Sequence, residues 1–275
     1  MTLIDYVRQQ MPGVMPDLSP QETSFDYYVD PDSSEWDHWQ NKLQSAPITM
    51  SSIPFLPTLD SVRLNNIATL LLQHGIPIIV TGQSGVGKSA TISDMFGNPN
   101  REDAPICKRI ALGASSTPLQ LQKCIEAELT RLQGGTFAPP NKKQLVLFVD
   151  DVNIPAPDQH GAVGTAELLR QLIEHKGFYS VDEDNSGAWM EIEHLQYIIV
   201  ARQLPHGGYS LPARLKRHFV FLNLTLANRA NLESMLSTLL KKQLDTRGMS
   251  YFVGAVASTY GNLNTIELRF AVLLK

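Results

Sequence analysis

Three features of the 275-residue chain predict an α/β fold built on a parallel sheet with helices on both faces. An apolar run, Pro77 to Val80, empties into the glycine-rich turn Gly82-Gln83-Ser84-Gly85-Val86-Gly87-Lys88-Ser89. A second run, Leu145 to Val149, is apolar throughout, as a strand buried on both faces must be, and ends in the paired acids Asp150 and Asp151. Short apolar runs then alternate with segments of helical length, the pattern of parallel strands joined by crossover helices.

Residues 1–50 are rich in Pro, Asp and Ser, lack clear periodicity, and read as a connector. Trp36 and Trp39, at i and i+3, predict a short helix carrying both on one face, packed against a neighbouring domain. Ile53 to Thr58 should be extended, because Pro54 and Pro57 disfavour helix in the residues before them. Asp60 or Ser61 then caps a helix with Leu64, Ile67, Ala68 and Leu71 on its apolar face and Gly75 as its stop.

The turn from Gly82 to Ser89 has the spacing of a P-loop. Its glycines let successive backbone N–H groups turn inward around an anion, and the following helix, running to Phe96 before Gly97, points its positive end at the same place. Lys88 is the candidate cation for the terminal phosphates of a nucleotide, ATP or ADP, and the Ser89 hydroxyl a candidate ligand for Mg2+.

Ile106 to Leu112 reads as the next strand. Thr117-Pro118-Leu119-Gln120 is a capping box with proline at the first helical position, predicting a helix to about Leu132, and Gly134-Gly135 with Pro139-Pro140 predicts a loop. Where the 145–149 strand emerges, Asp150 is the candidate metal-holding acid and Asp151 the candidate for polarising an attacking water. Phe178 to Asp182 and Ala188 to Glu193 flank a polar turn and predict a hairpin. Leu195 to Ala201 is a further core strand, Leu211 to Arg217 a short helix, Phe219 to Leu224 a last strand, and Asn228 to about Leu244 a helix.

With 43% hydrophobic and 18% charged residues the composition is that of a globular protein. No run approaches the roughly 18 consecutive apolar residues of a membrane span, and the first residues lack the pattern of a signal peptide, so a soluble, intracellular chain without membrane contact is expected. The net charge of −4 is uneven, residues 1–60 carrying −7 and the remainder +3, and no basic stripe of a nucleic-acid binder is visible. Cys107 and Cys124 lack metal or redox spacing and are expected to be buried thiols, and the seven histidines make no metal-site pair.

Asp150-Asp151-Val152-Asn153-Ile154-Pro155, Gly161, Glu167-Leu168-Leu169-Arg170-Gln171 and Gly177-Phe178-Tyr179 together resemble the third AAA+ module of dynein heavy chains, more the axonemal type than the cytoplasmic. Phe25 to Val29, Trp36 to Trp39 and Phe55 to Arg63 resemble the stretch before the P-loop in that module, and Arg214-Leu215-Lys216-Arg217-His218-Phe219 resembles the stretch after its sensor strand. The likeness spans about residues 25–225.

The resemblance implies a P-loop NTPase of the AAA+ type, with a connector from the preceding module (1–50), a large α/β subdomain (51–225) and the start of a helical lid (226–275). It implies ATP binding in a motor ring, with microtubule-based movement as the function of the whole, and a hairpin that projects from that ring. The partners it implies are neighbouring AAA+ modules and other dynein subunits, with the microtubule reached only through regions outside this chain and the cytoplasm, cytoskeleton and ciliary axoneme as the setting. At the end of the 195–201 strand AAA+ proteins place a polar sensor, by position Arg202 or Gln203, in a stretch poorer in Gly and Pro than the family's. Arg214, or failing that Arg217, matches the arginine that serves the adjoining module's site in trans. Asp151 stands where many AAA+ motors have glutamate, and its shorter reach implies weak hydrolysis. Two other readings share the motifs: a different ring-forming AAA+ remodelling ATPase, and a nucleotide-bound structural module that does not hydrolyse.

Overall fold

The computed structural model describes residues 22–30, 33–46, 49–50, 54–97, 105–132, 135–180, 187–203, 208–227, 231–233, 235 and 237–238. The chain divides into two compact units, Met1–Arg63 and Leu64–Lys275. In the first, β1 (Tyr27–Val29) pairs antiparallel with β2 (Trp36–His38), α1 (Trp39–Ser45) follows at once, and β3 (Thr49–Met50) pairs with β4 (Pro54–Phe55). The two tryptophans therefore do not share a helix. Trp36 is spent on the ladder opposite Val29, and the helix starts only where the His38 ring accepts the Gln40 N–H at 3.0 Å. Trp39 is buried, its ring 4.5 Å from that of Tyr28, and Arg63 donates to Asp26 at 3.3 Å.

Helix α2 (Leu59–Gln73) begins one residue before the expected caps, because Thr58 and Ser61 exchange side-chain and backbone bonds of 2.8 and 3.2 Å. Beyond Ser61 and Val62 in its first turn, its buried residues are Leu64, Ala68 and Leu72; Ile67, expected on the same face, is 39% exposed. The helix ends as expected at Gly75 (φ 68°), where the Ile76 N–H reaches Leu71 O and the Gly75 N–H reaches Leu72 O, a closure that needs the left-handed conformation.

In the second unit β5 (Ile78–Gly82) leads through the P-loop to α3 (Lys88–Phe96), and β6 (Ile106–Ala111) leads to α4 (Pro118–Glu126) behind the predicted Thr117–Gln120 capping box. Helix α4 stops at Glu126, short of Leu132. Thr130 instead opens β7 (Thr130–Arg131), which pairs antiparallel with β8 (Thr136–Ala138) inside the stretch expected to be a loop. β9 (Leu145–Asp150), α5 (Gly164–His175), β10 (Gly177–Tyr179), β11 (Trp189–Ile192), β12 (Leu195–Val200), α6 (Ala213–Lys216) and β13 (Val220–Leu224) complete the order. The predicted hairpin is β10 with β11, its tip outside the described residues, and β8 joins β11 in parallel to extend it to a four-stranded sheet. Residues 231–233, 235 and 237–238 are helical where the helix from Asn228 was expected; the rest of that segment lies outside the described residues.

The main sheet has five strands in the order β13-β5-β12-β9-β6, all parallel. Alternation along its strands divides the core in two. Ile79, Leu145, Leu147, Val149 and Ile199 face Leu121 and Ile125 of α4 and Leu169 and Leu172 of α5. Ile78, Val80, Val146, Phe148 and Ile198 face Leu64, Ala68 and Leu72 of α2 and Ile92 of α3. The predicted α/β class, a P-loop sheet covered on both sides, is the fold observed. Of the two cysteines, Cys107 is half-buried, its thiol pushed up to about 11 by burial, while Cys124 is exposed on α4, contrary to expectation, because the buried stripe of that helix runs through Leu121, Gln122 and Ile125.

Phe148 is 1% exposed at the middle of the central strands. Phe148→Ala should destabilise the chain by about 3–5 kcal/mol through lost burial and an unfilled cavity, read as a lower urea midpoint with little change in slope.

Candidate functional site

The site lies at the carboxyl ends of the parallel strands, where side chains can leave a sheet that is otherwise sealed on both faces. β5 ends in Gly82, whose φ of 146° and whose approach to Leu224 leave no room for a side chain: a Cβ there would stand 2.3 Å from Leu224 O. The turn closes at Gly87 (φ 91°), the residue before α3. Lys88 is folded back into this turn, 7% exposed, with its Nζ donating to Gly82 O at 2.8 Å and Gln83 O at 2.7 Å. Ser89, one residue into the helix, donates through Oγ to Asp150 Oδ1 at 2.9 Å.

Asp150 is the last residue of β9 and 5% exposed. A carboxylate this buried needs partners for both oxygens. Its second oxygen accepts from Arg109 Nη2 at 2.7 Å, and the Arg109 guanidinium lies 5.5 Å from the Phe148 ring. Asp151 follows in the left-handed region (φ 58°), which turns the chain sharply out of the sheet. Its carboxylate is gripped by Arg202, Nε to Oδ1 and Nη2 to Oδ2, both at 2.8 Å. Asn153, 4% exposed, holds the backbone of Arg202 at both ends, its Oδ1 accepting the Arg202 N–H at 2.9 Å and its Nδ2 donating to the Arg202 carbonyl at 3.0 Å.

These groups line one cleft of about 390 Å³, with Lys88, Ser89, Asp150, Asp151, Arg109 and Arg202 on its walls. That volume is in the range of small-molecule sites. Ser84, Gly85 and Gly87 line the same cleft; Gln83 contributes its carbonyl to Lys88, and Gly82 and Val86 shape the loop, with the Val86 side chain 3.2 Å from a Cβ placed on Gly82. Of the two sensor candidates, Arg202 faces the cleft. Gln203 is exposed and places only its N–H toward Gly82 O, at 3.4 Å.

Sequence reasoning does not single out Arg109. Its position two residues before the end of a parallel strand is the available signal, since that edge is where ligands of open α/β sheets bind. Asn153 lies in the Asp150 to Pro155 motif, yet nothing local marks it as a clamp on a residue 49 positions away. Arg214 is exposed on α6 and does not line the cleft. Arg217 instead donates to Glu174 of α5, as does Arg170, and His218 lies 3.0 Å from the same carboxylate.

The donor set suits a nucleotide phosphate with Mg2+. Among the described residues no cluster of three or more His, Cys, Asp or Glu could hold a metal by itself. Mg2+ is typically held by one or two protein oxygens plus substrate phosphates, and Ser89 Oγ beside Asp150 Oδ1 is such a pair.

A family profile described as "P-loop containing dynein motor region" matches residues 44–227. The chain belongs to the dynein motor-region family. It is 31% identical over 235 residues to the Dynein gamma chain, flagellar outer arm, of Chlamydomonas reinhardtii, covering 82% of this chain and 5% of that protein. It is 29% identical over 231 residues to Dynein axonemal heavy chain 5 of Rattus norvegicus, covering 82% of this chain and 6% of that protein, and 27% identical over 241 residues to Dynein axonemal heavy chain 17 of Homo sapiens, covering 86% and 5%. The chain thus spans only a small part of the dynein heavy chains it matches. Membership in the family implies that this P-loop binds nucleotide. No helix among the described residues is long and apolar enough to cross a membrane.

The Glu174 cluster fastens α6, with Arg214 on it, to α5. Hydrogen bonding by Arg217 and His218, aided by the charge of Arg170, holds the Glu174 carboxyl down at about 2 against an ordinary 4.5. A depressed carboxylate contributes stability at pH values above its unfolded value and loses it as pH falls toward the folded one. The difference in melting temperature between the native chain and Glu174→Gln should therefore be constant near neutrality and shrink between about pH 4.5 and pH 2, as a pH series of thermal melts would show.

Proposed function

We propose that this chain is the third AAA+ module of a dynein heavy chain of axonemal type, binding ATP or ADP with Mg2+ and lending nucleotide-dependent regulation to microtubule-based movement. The observation that carries the reading is the meeting of Lys88, Ser89 and Asp150 at one cleft, with Ser89 Oγ and Asp150 Oδ1 2.9 Å apart. The module assignment is supported by the run from Asp150 to Pro155 and by Glu167 to Gln171, and the setting in cytoplasm, cytoskeleton and cilium by the axonemal and flagellar names of the relatives. Residues 1–50 serve as the connector, 51–225 as the large subdomain, and 226–275 contribute to a helical lid. Partners are the neighbouring AAA+ modules and other dynein subunits, with microtubule contact made by other parts of the heavy chain; neither nucleic acid nor membrane is a partner.

In this reading a bound Mg2+ would supply charge neutralisation for the phosphates. Ser89 and Asp150 would hold it, Arg109 orients Asp150, and Lys88 exchanges its bonds to Gly82 O and Gln83 O for bonds to the terminal phosphates. Gln83 to Gly87 supply inward-facing N–H groups. Asp151 orients water with one methylene less than a glutamate; a misplacement of about 1 Å can cost about 100-fold, so turnover at this site is slow. A nucleotide-bound module that does not hydrolyse is the second reading, favoured by the engagement of both Asp151 oxygens with Arg202.

Lys88→Ala should remove most nucleotide affinity, by about 100-fold or more given the loss of a charge-assisted partner for the phosphates. Titration of a fluorescent ATP analogue against both proteins tests this, and equal affinities would sink the nucleotide assignment.

Arg214 acts on the adjoining module's site. Its exposure, and its lack of the Glu174 anchor that occupies Arg217, leave it available to a neighbour. Arg214→Ala should leave binding at this chain's own P-loop unchanged and slow turnover at the neighbouring site by about 10³-fold or more. Site-resolved single-turnover measurements on an intact motor would decide it, and loss of binding at this P-loop would refute the trans role.

A further inference from the structure

Arg109 stands on β6, the edge strand of the main sheet, two residues before that strand ends and opposite Phe148 in the ladder with β9. Its guanidinium lies 5.5 Å from the Phe148 ring and donates to Asp150 Oδ2 at 2.7 Å. The two side chains are unequally exposed, 53% for Arg109 and 8% for Asp150, so a long, half-solvated cation caps a buried carboxylate. The other oxygen of that carboxylate accepts from Ser89, the hydroxyl suited to a metal ion. An ion taken up by Ser89 and Asp150 would therefore share one carboxylate with a guanidinium already bound to it. Cations also outnumber acids on the walls of the cleft, Lys88, Arg109 and Arg202 against Asp150 and Asp151.

We propose that Arg109 sets the metal requirement of this site: as a resident counter-cation on Asp150 it lets the cleft take a nucleotide without Mg2+ and weakens the uptake of Mg2+ beside it. The inference rests on the reading that this cleft binds nucleotide. A carboxylate without a partner at the end of β9 would repel the phosphates, and a bound metal ion relieves that repulsion; here the charge of Asp150 is already compensated by Arg109. The same guanidinium repels a divalent ion on the shared carboxylate, and in a cleft open to water that repulsion is worth about a factor of ten in affinity. Arg109 is a positioning residue, acting on the ion through Asp150 and on the phosphates through the charge it removes.

The test reads binding and needs no turnover. ADP is titrated calorimetrically into the full chain, first with EDTA and then across a Mg2+ series. In the native chain the affinity should rise by less than about 10-fold from EDTA to saturating Mg2+; a rise well beyond that overturns the proposal without any variant. Arg109→Gln keeps an N–H donor for Asp150 and removes the charge. It should lower affinity for metal-free ADP by about 3- to 10-fold and lower the Mg2+ concentration at the midpoint of the rise by about 10-fold. Mn2+ in place of Mg2+, followed by electron paramagnetic resonance with ADP present, should bind more tightly to Arg109→Gln than to the native chain, a readout that a merely structural role would not move. Arg109→Lys keeps the charge and should restore the native metal dependence. Melting temperatures taken without nucleotide verify that both variants are folded. The proposal is overturned if the Mg2+ midpoint is the same in the native chain and Arg109→Gln, which would leave Arg109 a structural partner of Asp150, or if affinity falls equally with and without Mg2+, which would make it a direct phosphate ligand. Failure of the native chain to bind ADP under either condition would instead overturn the nucleotide reading, and this inference with it.

Discussion

A carboxylate stands at the end of a strand sealed on both faces, and the site is arranged to satisfy it. Asp150 is 5% exposed, and an ionised group so placed is costly unless each oxygen is paired. Ser89 reaches it from the first turn of α3 and Arg109 from β6. Those two bonds tie the P-loop helix and the neighbouring strand β6 to β9. Hydrophobic burial on either side of the sheet brings these elements to the right depth, but the polar contacts at the strand ends decide their rotation and reach.

The same strand end uses its next residue differently. Asp151 leaves the sheet through a left-handed turn, and the chain immediately returns Asn153 to grip the backbone of Arg202. Backbone bonds from Val152 to Val200 and from Ala201 to Val80 lock β9, β12 and β5 together just behind these side chains. Two adjacent acids, chemically alike in sequence, therefore occupy unlike surroundings. One is buried between a hydroxyl and an arginine. The other is partly solvated and held by a single guanidinium fork.

Strong local signals were legible. The buried runs at 78–82 and 145–150, the Thr117 capping box, the Gly75 stop and the hairpin across 177–192 each follow from side-chain pattern and turn chemistry over a few residues. Local pattern misled where tertiary pairing competed with it. Helical spacing of Trp36 and Trp39 lost to strand pairing of Trp36 with Val29, and the helix expected to reach Leu132 gave way to a ladder between Thr130 and Ala138. Ile67 fits the helical stripe as well as Leu64 does, yet the stripe that packs runs through Leu64, Ala68 and Leu72.

By itself the sequence determined the α/β class, the phosphate-binding turn and the acids at the next buried strand, because each rests on backbone freedom at glycine, alternation of apolar residues or charge at a strand end, all properties of adjacent positions. Only the tertiary structure decided which acid pairs with which arginine, that Arg109 and not a P-loop residue holds the second oxygen of Asp150, that Arg202 rather than Gln203 turns into the cleft, and that Arg217 is bound to Glu174 while Arg214 stands exposed. Those choices join residues 41 to 51 positions apart, and no periodicity along the chain encodes them; they are set by the order of the parallel strands, which brings the ends of β5, β6, β9 and β12 side by side.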